Sequence, residues 1–371
     1  MKVPVKEFRD AIKSLSGLNK TRTTLPILSC VRVAGTEHGL SLRTTNLDQD
    51  LDLTIPIEGT APEAACLPVD WLKSLAQCAR TDEITFSAKR DLWAAESGTL
   101  SVSQKSLPAS EFPPAVTEEE CEQVQIPDFA SRVQRVRHLV QPETAMQWEM
   151  KCTLHVVHRN GLSIVESHNT VYARAALECD TKHPEICLPY SALSLIAEYG
   201  HAADRLLLSE NLFFLKGNLQ GNPFIVSTKL AEMGWPNTDK VMGMEWETLA
   251  EIGSDDLAKE IRTARQFGDT DKATKAQVYT PIQITFGELG LHLEAETGQG
   301  TYRSHLPGQF QTAAPSRMNA EKLADITGAL IGPVTVSRGV QVVRSGQGSM
   351  EGAVYRFEDA GTVQLLPEMR Q

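Results

Sequence analysis

The chain has 371 residues, a length that fits roughly two to four domains, each able to bury its own core. Its 36 Lys and Arg against 47 Asp and Glu leave a net charge of −11, which excludes a protein coated with nucleic-acid-binding surface; any contact with a polyanion must be local. The seven cysteines (30, 66, 78, 121, 152, 179 and 187) include no C-x-x-C and read as reduced, mostly buried thiols, with no metal site or disulfide framework.

The first element in chain order is a helix. Val5, Phe8, Ile12 and Leu15 lie on one face, and Lys6, Arg9 and Lys13 on another. Strands follow, with period-2 alternation at Leu40-Ser41-Leu42-Arg43 and Leu51-Asp52-Leu53-Thr54-Ile55; Asp48, Asp50 and Asp52 then read as a solvated outer sheet face in preference to a cation site. Trp71, Leu72, Leu75 and Ala79 return to helical period, in a segment that carries Lys73 and Arg80. An acidic linker is expected at Thr117-Glu118-Glu119-Glu120. Helical spacing resumes with Phe129, Val133, Val136 and Val140 against Arg132, Arg135 and His138, and once more with Leu257 and Ile261 against Lys259, Arg262 and Gln266. Met242-Gly243-Met244 reads as a second linker, and Gly268 to Ala276 as an exposed loop.

Three phrases recur at intervals of roughly 120 to 135 residues, the size of a domain. Gly-Leu opens a strand at Gly39, Gly161 and Gly290. An apolar strand leads into a helix at Cys66-Leu67-Pro68, Cys187-Leu188-Pro189 and Arg317-Met318-Asn319. A closing phrase runs Leu107 to Phe112-Pro113, Leu230 to Trp235-Pro236, and Leu366-Pro367 to Met369. Periods of that length mean repeated domains and not a solenoid. The expectation is an α+β protein of three domains, 1–121, 122–242 and 243–371, each with two helices packed on antiparallel sheet and with one helix carrying cations.

Catalytic signatures are weak. Ser167-His168 are neighbours on a strand and face opposite ways, with no G-x-S-x-G around the serine. His155 and His158 sit three apart on the strand implied by Leu154, Val156 and Val157, where their rings diverge, and no G-x-x-x-x-G-K-[ST] loop is present. No catalytic residue, cofactor or metal is assigned. Met1-Lys2-Val3-Pro4 lacks the apolar core of a signal peptide, and no run nears the ~18 apolar residues of a membrane span, so a soluble cytoplasmic protein is expected.

Arg22-Thr23-Thr24-Leu25-Pro26-Ile27-Leu28, Thr45-Asn46-Leu47-Asp48-Gln49-Asp50-Leu51 and Leu107-Pro108-Ala109-Ser110-Glu111-Phe112-Pro113, followed by Ser227-Thr228-Lys229-Leu230, Trp235-Pro236 and Leu365-Leu366-Pro367-Glu368-Met369-Arg370-Gln371, are similar in order and spacing to signatures of the bacterial sliding clamp, the β subunit of DNA polymerase III. The resemblance covers essentially the whole chain. It implies three clamp domains, with helices inside and sheet outside, and a head-to-tail homodimeric ring around double-stranded DNA. Binding would be independent of sequence, in a nucleoid-associated cytoplasmic setting, with a clamp loader and DNA polymerase among the partners. The resemblance makes Arg22 a DNA contact and brings Trp148 near a DNA-facing loop. The cationic stripes Lys6, Arg9, Lys13, Lys73, Arg80, Arg132, Arg135, Lys259 and Arg262 become candidates for the inner wall.

The resemblance further implies a pocket for short apolar peptides of polymerases and other clamp-binding-motif proteins. Ser167, Tyr172, Pro236, Lys240, Val241, Tyr279, Asn319, Val340, Leu365, Leu366, Pro367, Met369 and Arg370 align with it. Where the family typically carries Thr-Asp-Gly-His-Arg-Leu, this chain has Ser167-His168-Asn169-Thr170-Val171-Tyr172, and Glu368 is an extra residue in the tail; both alter the expected peptide. The alternative reading is a clamp-fold scaffold or decoy that binds clamp partners without encircling DNA.

Overall fold

One order of elements occurs three times along the chain: a strand, a helix, four strands, a helix and three strands. The first repeat comprises Lys2–Pro4, helix α1 (Val5–Leu18), Cys30–Thr36, Gly39–Thr45, Gln49–Ile55, Ala65–Pro68, helix α2 (Val69–Cys78), Glu83–Lys89, Leu92–Ser97 and Leu100–Lys105. The second comprises Glu122–Val124, α3 (Phe129–Val136), Thr153–Arg159, Leu162–His168, Tyr172–Leu177, Glu185–Pro189, α4 (Tyr190–Tyr199), Ala203–Leu208, Leu212–Leu219 and Asn222–Lys229. After a short helix α5 (Asp239–Met242), the third comprises Glu247–Gly253, α6 (Ser254–Gln266), Pro281–Gly287, Gly290–Thr297, Gly300–Pro307, Ser316–Asn319, α7 (Ala320–Gly328), Pro333–Ser345, Gly348–Asp359 and Thr362–Pro367. This computed structural model describes residues 1–18, 25–118, 121–124, 128–140, 153–159, 162–168, 172–177, 185–232, 239–267, 281–297, 300–345 and 348–369, with the backbone alone at 139, 153–159, 162–168, 172–177, 185, 239–240, 297, 342–345 and 348–351.

The pairing is the same in every repeat. The opening strand pairs with the strand after the second helix, and the first of the four central strands pairs with the fourth, all antiparallel. The recurring glycine has a steric cause. Gly39 and Gly290 adopt φ of +141° and +145°, and a Cβ on either would lie 2.2 Å and 2.3 Å from the carbonyl oxygens of Ile55 and Leu306 on the facing strand. The closing phrase also has a common role. Leu107 pairs with Cys66, the Ala231 amide donates to the Cys187 carbonyl, and the Met369 amide donates to the Arg317 carbonyl. In each repeat, therefore, the third phrase bonds to the outer edge of the strand that carries the second phrase.

Contacts divide the chain into two compact units, one of Met1–Ile126, Asp180–His183 and Ser194–Leu230, the other of Pro127–Cys179, Pro184–Leu193 and Ala231–Gln371. Each unit holds one four-stranded sheet and one long sheet. The long sheets are built across repeats. In the first unit, Asn222–Lys229 pairs with Gln49–Ile55, opposing Val226 to Leu51, within nine strands. In the second, Tyr172–Leu177 pairs with Thr362–Pro367, opposing Tyr172 to Leu365, within eight. The α1 face of Val5, Phe8, Ile12 and Leu15 is buried as its spacing predicts. Phe8 meets Phe86 at 5.6 Å between ring centroids, and Phe86 meets Trp93 at 6.2 Å. Full burial of such rings stabilises by about 1.5–3 kcal/mol each.

One expectation is corrected on the outer face of the nine-stranded sheet. The chain leaves this sheet at one edge, Leu107–Pro108, and re-enters at the opposite edge, Glu122–Val124. The segment is held where it crosses. Arg43 donates to the carbonyls of Pro113 (2.9 Å) and Pro114 (2.7 Å), its guanidinium lies 5.4 Å from the Phe112 ring centroid, and Lys216 reaches Glu118 at 2.8 Å. Under this cover every residue of Gly39–Thr45 is buried, where the alternation predicts one wet face. Asp50 is accordingly a partner of Arg43, accepting from Nε at 2.6 Å and Nη2 at 2.5 Å. Asp52 accepts from Ser41 at 2.8 Å, and burial pushes its carboxyl above the usual range. Only Asp48, paired with Lys229 at 3.0 Å, keeps the exposed position expected of all three.

Arg43→Met is expected to cost about 3–5 kcal/mol in urea unfolding, because it strands a buried carboxylate and two carbonyls. Gly39→Ala and Gly290→Ala are each expected to cost about 2–4 kcal/mol in the same assay.

Candidate nucleic-acid and peptide interfaces

The cations of α1 stand opposite its buried face: Lys6, Arg9 and Lys13 are exposed. Arg9 also ties α1 to α2, donating from Nε to the Ala76 carbonyl at 3.1 Å. Lys73 on α2 lies 3.7 Å from Asp70 one turn earlier, and Arg80, just past the helix, donates to the Thr99 hydroxyl. In the third repeat Lys259 and Arg262 are exposed on α6. Arg262 donates back to the Ala258 carbonyl at 3.0 Å, and Arg265 pairs with Glu321 of α7 at 3.6 Å. Exposed cations on helices fixed in this way can attract phosphates without reading bases. Arg22 and Trp148 lie outside the described residues.

The second repeat differs, and the exposure expected of its stripe is corrected. Arg135 is 13 % exposed and forms an ion pair with Asp359, whose side chain is fully buried. The same carboxylate accepts from the amides of Ile331 (2.8 Å) and Thr362 (3.2 Å). Arg132 is half-buried against the same turn, where a Cβ on Gly361 would lie 2.6 Å from its Nη1. His138 completes a polar cluster. Among the described residues its ring nitrogens, Arg135 Nε, Thr362 Oγ1 and Gln364 Oε1 make no hydrogen bond of normal geometry, although Gln364 and the Arg135 backbone lie near enough to favour the charged ring. Burial pushes the His138 imidazole down to about 4. Desolvation disfavours its charged form, and Lys322 adds repulsion.

Of the residues aligned with the peptide pocket, Val241 and Leu365 belong to one apolar cluster. Val354, Val363 and Leu365 are buried together, and Val241, Met242, Met244 and Trp246 pack against them. Met242-Gly243-Met244 is therefore a wall of this cluster and not only a linker. The signal missed in the sequence was the apolar run from Val241 to Trp246, which holds itself in place through Trp246 Nε1 to the Met242 carbonyl at 3.4 Å and lies 5.7 Å from the Arg356 guanidinium. Strand register brings Tyr172 opposite Leu365 and Val340 opposite Ala353, with Ser167 one strand further out opposite Ala173. Leu365 and Leu366 are 2 % exposed, whereas Val340 is 49 % exposed, Pro367 exposed and Met369 half-buried. Two main-chain bonds fix the tail: Glu368 to the Ala353 carbonyl and Met369 to the Arg317 carbonyl, both 2.8 Å. Asn319 caps α7, accepting from the Lys322 amide at 3.0 Å. Lys240 lies on α5, with its side chain outside the description, and Pro236, Tyr279 and Arg370 fall outside the described residues.

The strand histidines 155 and 158 and the pair Ser167-His168 lie on strands as expected, and their side chains are outside the description. Among the described residues no group of three or more His, Cys, Asp or Glu could hold a metal ion, and no helix is long and apolar enough to cross a membrane. Cys30, Cys66 and Cys187 are buried, Cys121 is partly covered and Cys78 exposed. Burial pushes the Cys66 thiol up to about 12, which makes it a poor nucleophile.

The architecture defines a class: an α+β fold of three topologically equal repeats whose sheets are continued from one repeat into the next. Solved structures of that class are bacterial sliding clamps, and the chain has their fold. Over all of its length it matches the β subunit of DNA polymerase from Streptococcus pyogenes, with a TM-score of 0.84, 14 % identity and 99 % of that chain covered. The sliding clamp of Bacillus subtilis matches at 0.82, 13 % identity and 98 % coverage. The clamp of Pseudomonas aeruginosa bound to griselimycin matches at 0.82, 15 % identity and 99 % coverage. No protein-family model and no curated protein matches the sequence.

Neutral His138 is favoured by folding, so its contribution is complete above about pH 6.5 and is lost as pH falls toward about 4. The unfolded chain takes up the proton first. Stability is expected to drop by at most about 3 kcal/mol across that window, and His138→Leu should flatten the slope in urea titrations at pH 4.5 and 7. Arg135→Ala is expected to cost about 3 kcal/mol, against less than about 0.5 kcal/mol for Lys6→Ala or Lys259→Ala.

Proposed function

We propose that this chain is a DNA sliding clamp: a non-enzymatic processivity factor of three clamp domains, 1–121, 122–242 and 243–371. It would close as a head-to-tail homodimer around double-stranded DNA in the cytoplasm, after opening by a clamp loader. The observation that carries the reading is a rule of strand pairing. The third central strand of the first repeat pairs with the last strand of the second, and that of the second with the last strand of the third. The rule leaves two strands over: Gly300–Pro307 and Leu100–Lys105, each at the edge of a four-stranded sheet. A second copy supplies what each lacks, and two such joints close a ring. Near the first edge, Phe267 is 56 % exposed and stacks on Tyr302 at 5.2 Å, offering apolar area to such a joint.

In this reading Lys6, Arg9, Lys13, Lys73, Arg80, Lys259 and Arg262 face the duplex with Arg22 and Trp148, while Arg132 and Arg135 mainly hold the second repeat to the turn at Asp359. Retention is topological, so modest sequence-independent attraction suffices. The surface around Val241, Val340, Pro367 and Met369 receives apolar segments of a polymerase and other partners. The burial of Arg135, which takes a cation out of the stripe, favours the second reading, a scaffold or decoy that binds clamp partners without encircling DNA.

Light scattering at micromolar concentration is expected to give twice the chain mass, and Ser103→Pro, which blocks one unpaired edge, should give the monomer. A loaded clamp should stay on nicked circular DNA and run off linear DNA. Lys6→Glu with Lys259→Glu should shorten its lifetime on the circle without changing the mass. Absence of topological retention in a stable dimer would favour the scaffold. Met369→Ala should weaken a polymerase tail peptide about tenfold with the dimer intact; unchanged affinity would remove the pocket assignment.

A further inference from the structure

The three repeats offer an internal comparison at one more strand edge. Lys2 and Glu251 are equivalent: each lies three residues before its helix begins, at Val5 or Ser254, and each opposes a threonine, Thr85 or Thr335, on the neighbouring strand. On the far side, Glu58 and Gln309 are equivalent, three residues past Ile55 and Leu306. In the first repeat this edge is closed. The Lys2 amide donates to the Glu58 carbonyl at 2.8 Å, and the Glu58 amide donates to the Lys2 carbonyl at 2.9 Å.

In the third repeat the same edge is open. Leu306 to Gln311 stands off from the strand Glu247–Gly253 and leaves a cleft of about 660 Å³ between them, within the range of ligand-binding clefts. Among the described residues one main-chain bond joins the two walls, from the Gln311 amide to the Leu249 carbonyl at 2.8 Å. Past the bulge at Leu249 the ladder is regular; the Ser254 amide donates to the Gly332 carbonyl, just ahead of the neighbouring strand, at 2.9 Å, and bonding alternates along the strand, so the backbone groups of Glu251 face the cleft. Glu251 and Asp256 give the lining its charge, and it contains no Lys or Arg. Phe310, held by an edge-on contact with Phe286 at 6.4 Å, supplies an apolar wall. Along the strand Glu251 is exposed and Ile252 buried, so that successive side chains of an added strand would meet a carboxylate and an apolar surface in turn.

We propose that this cleft captures an extended basic segment of a partner protein by strand addition. The incoming strand takes the place opposite Glu251 that Glu58 takes opposite Lys2, with the charges exchanged. Its main chain bonds to the open edge, alternate Lys or Arg side chains meet Glu251 and Asp256, and the apolar ones between them pack toward Ile252 and Phe310.

The test uses the full-length protein at 0.15 M salt, where distant charges are screened, and a fluorescein-labelled peptide Gly-Lys-Val-Lys-Val-Lys-Gly followed by anisotropy. Saturable binding is expected, weakened about tenfold by Glu251→Lys and by Gln309→Lys on the facing wall. The peptide with Glu in place of Lys should bind Glu251→Lys better than it binds the unaltered protein. N-methylation of the valine amides should abolish binding if strand addition carries it. The proposal is overturned by no saturable binding up to millimolar peptide, by equal binding to Glu251→Lys, or by equal binding of the N-methylated peptide. A fall in particle mass for Glu251→Lys would also overturn it, by assigning the edge to a second copy of this chain. Circular dichroism of the variants separates each outcome from misfolding.

Discussion

A β-strand with an unpaired edge must find a partner for every second backbone group, and this need orders the whole architecture. Each repeat satisfies part of it internally, by joining its opening strand to the strand after its second helix. Part is satisfied by the closing phrase, which lies along the edge at Cys66, Cys187 or Arg317. The remainder is passed on: the third central strand looks to the next repeat for its neighbour. A chain built this way grows in one direction and, among the described residues, ends its two four-stranded sheets on Leu100–Lys105 and Gly300–Pro307, so dimerisation in the proposed ring applies again the rule that already joins the repeats.

Charge is used in two ways that sequence position alone does not separate. Arg43 and Arg135 are surrounded by main chain or carboxylate from distant segments, and each is paired with an aspartate out of water. Lys6 and Lys259 remain in solvent, where a charge costs little and contributes little to stability. For the buried pairs the balance is different, because removing one partner leaves the other desolvated. Such pairs fix geometry. Arg43 holds the segment that crosses the nine-stranded sheet, and Arg135 holds α3 to the Asp359–Thr362 turn, so that cations in equivalent helices serve as anchors in one repeat and surface charge in another.

What was legible in the sequence was periodic. The apolar faces of α1, α3 and α6, the Gly-Leu phrases at Gly39 and Gly290 and the closing phrases reflect local rules of spacing and correspond to elements or contacts of the fold, while Gly161 lies outside the described residues. Covering was not legible. Alternation at Leu40 to Arg43 reports a strand, but a segment some 70 residues later decides that its outer side is dry. Arg135 falls in the same helical register as Arg132, and only the arrival of Asp359 from more than 200 positions away makes it structural. The wall formed by Val241 to Trp246 was hidden for a related reason: glycine at 243 marks a turn correctly, while the hydrophobic residues around it find their partners on the strand of Leu365.

Repetition leaves each copy free to diverge wherever the shared pairing does not depend on the side chain. Gly39 and Gly290 could not diverge, because a Cβ has no room against the carbonyl opposite. Lys2 and Glu251 could, since both point to solvent from an edge strand whose main chain sets the bonds. Pairing then turns on the segment across from them. Pro56 to Gly59 comes close enough to exchange hydrogen bonds with Lys2, whereas Pro307 to Phe310, with the Phe310 ring folded over Gly308, stands away from Glu251. One strand edge is thereby closed in the first repeat and open in the third, where the neighbouring loop packs differently and the edge strand carries a bulge between Thr248 and Ala250.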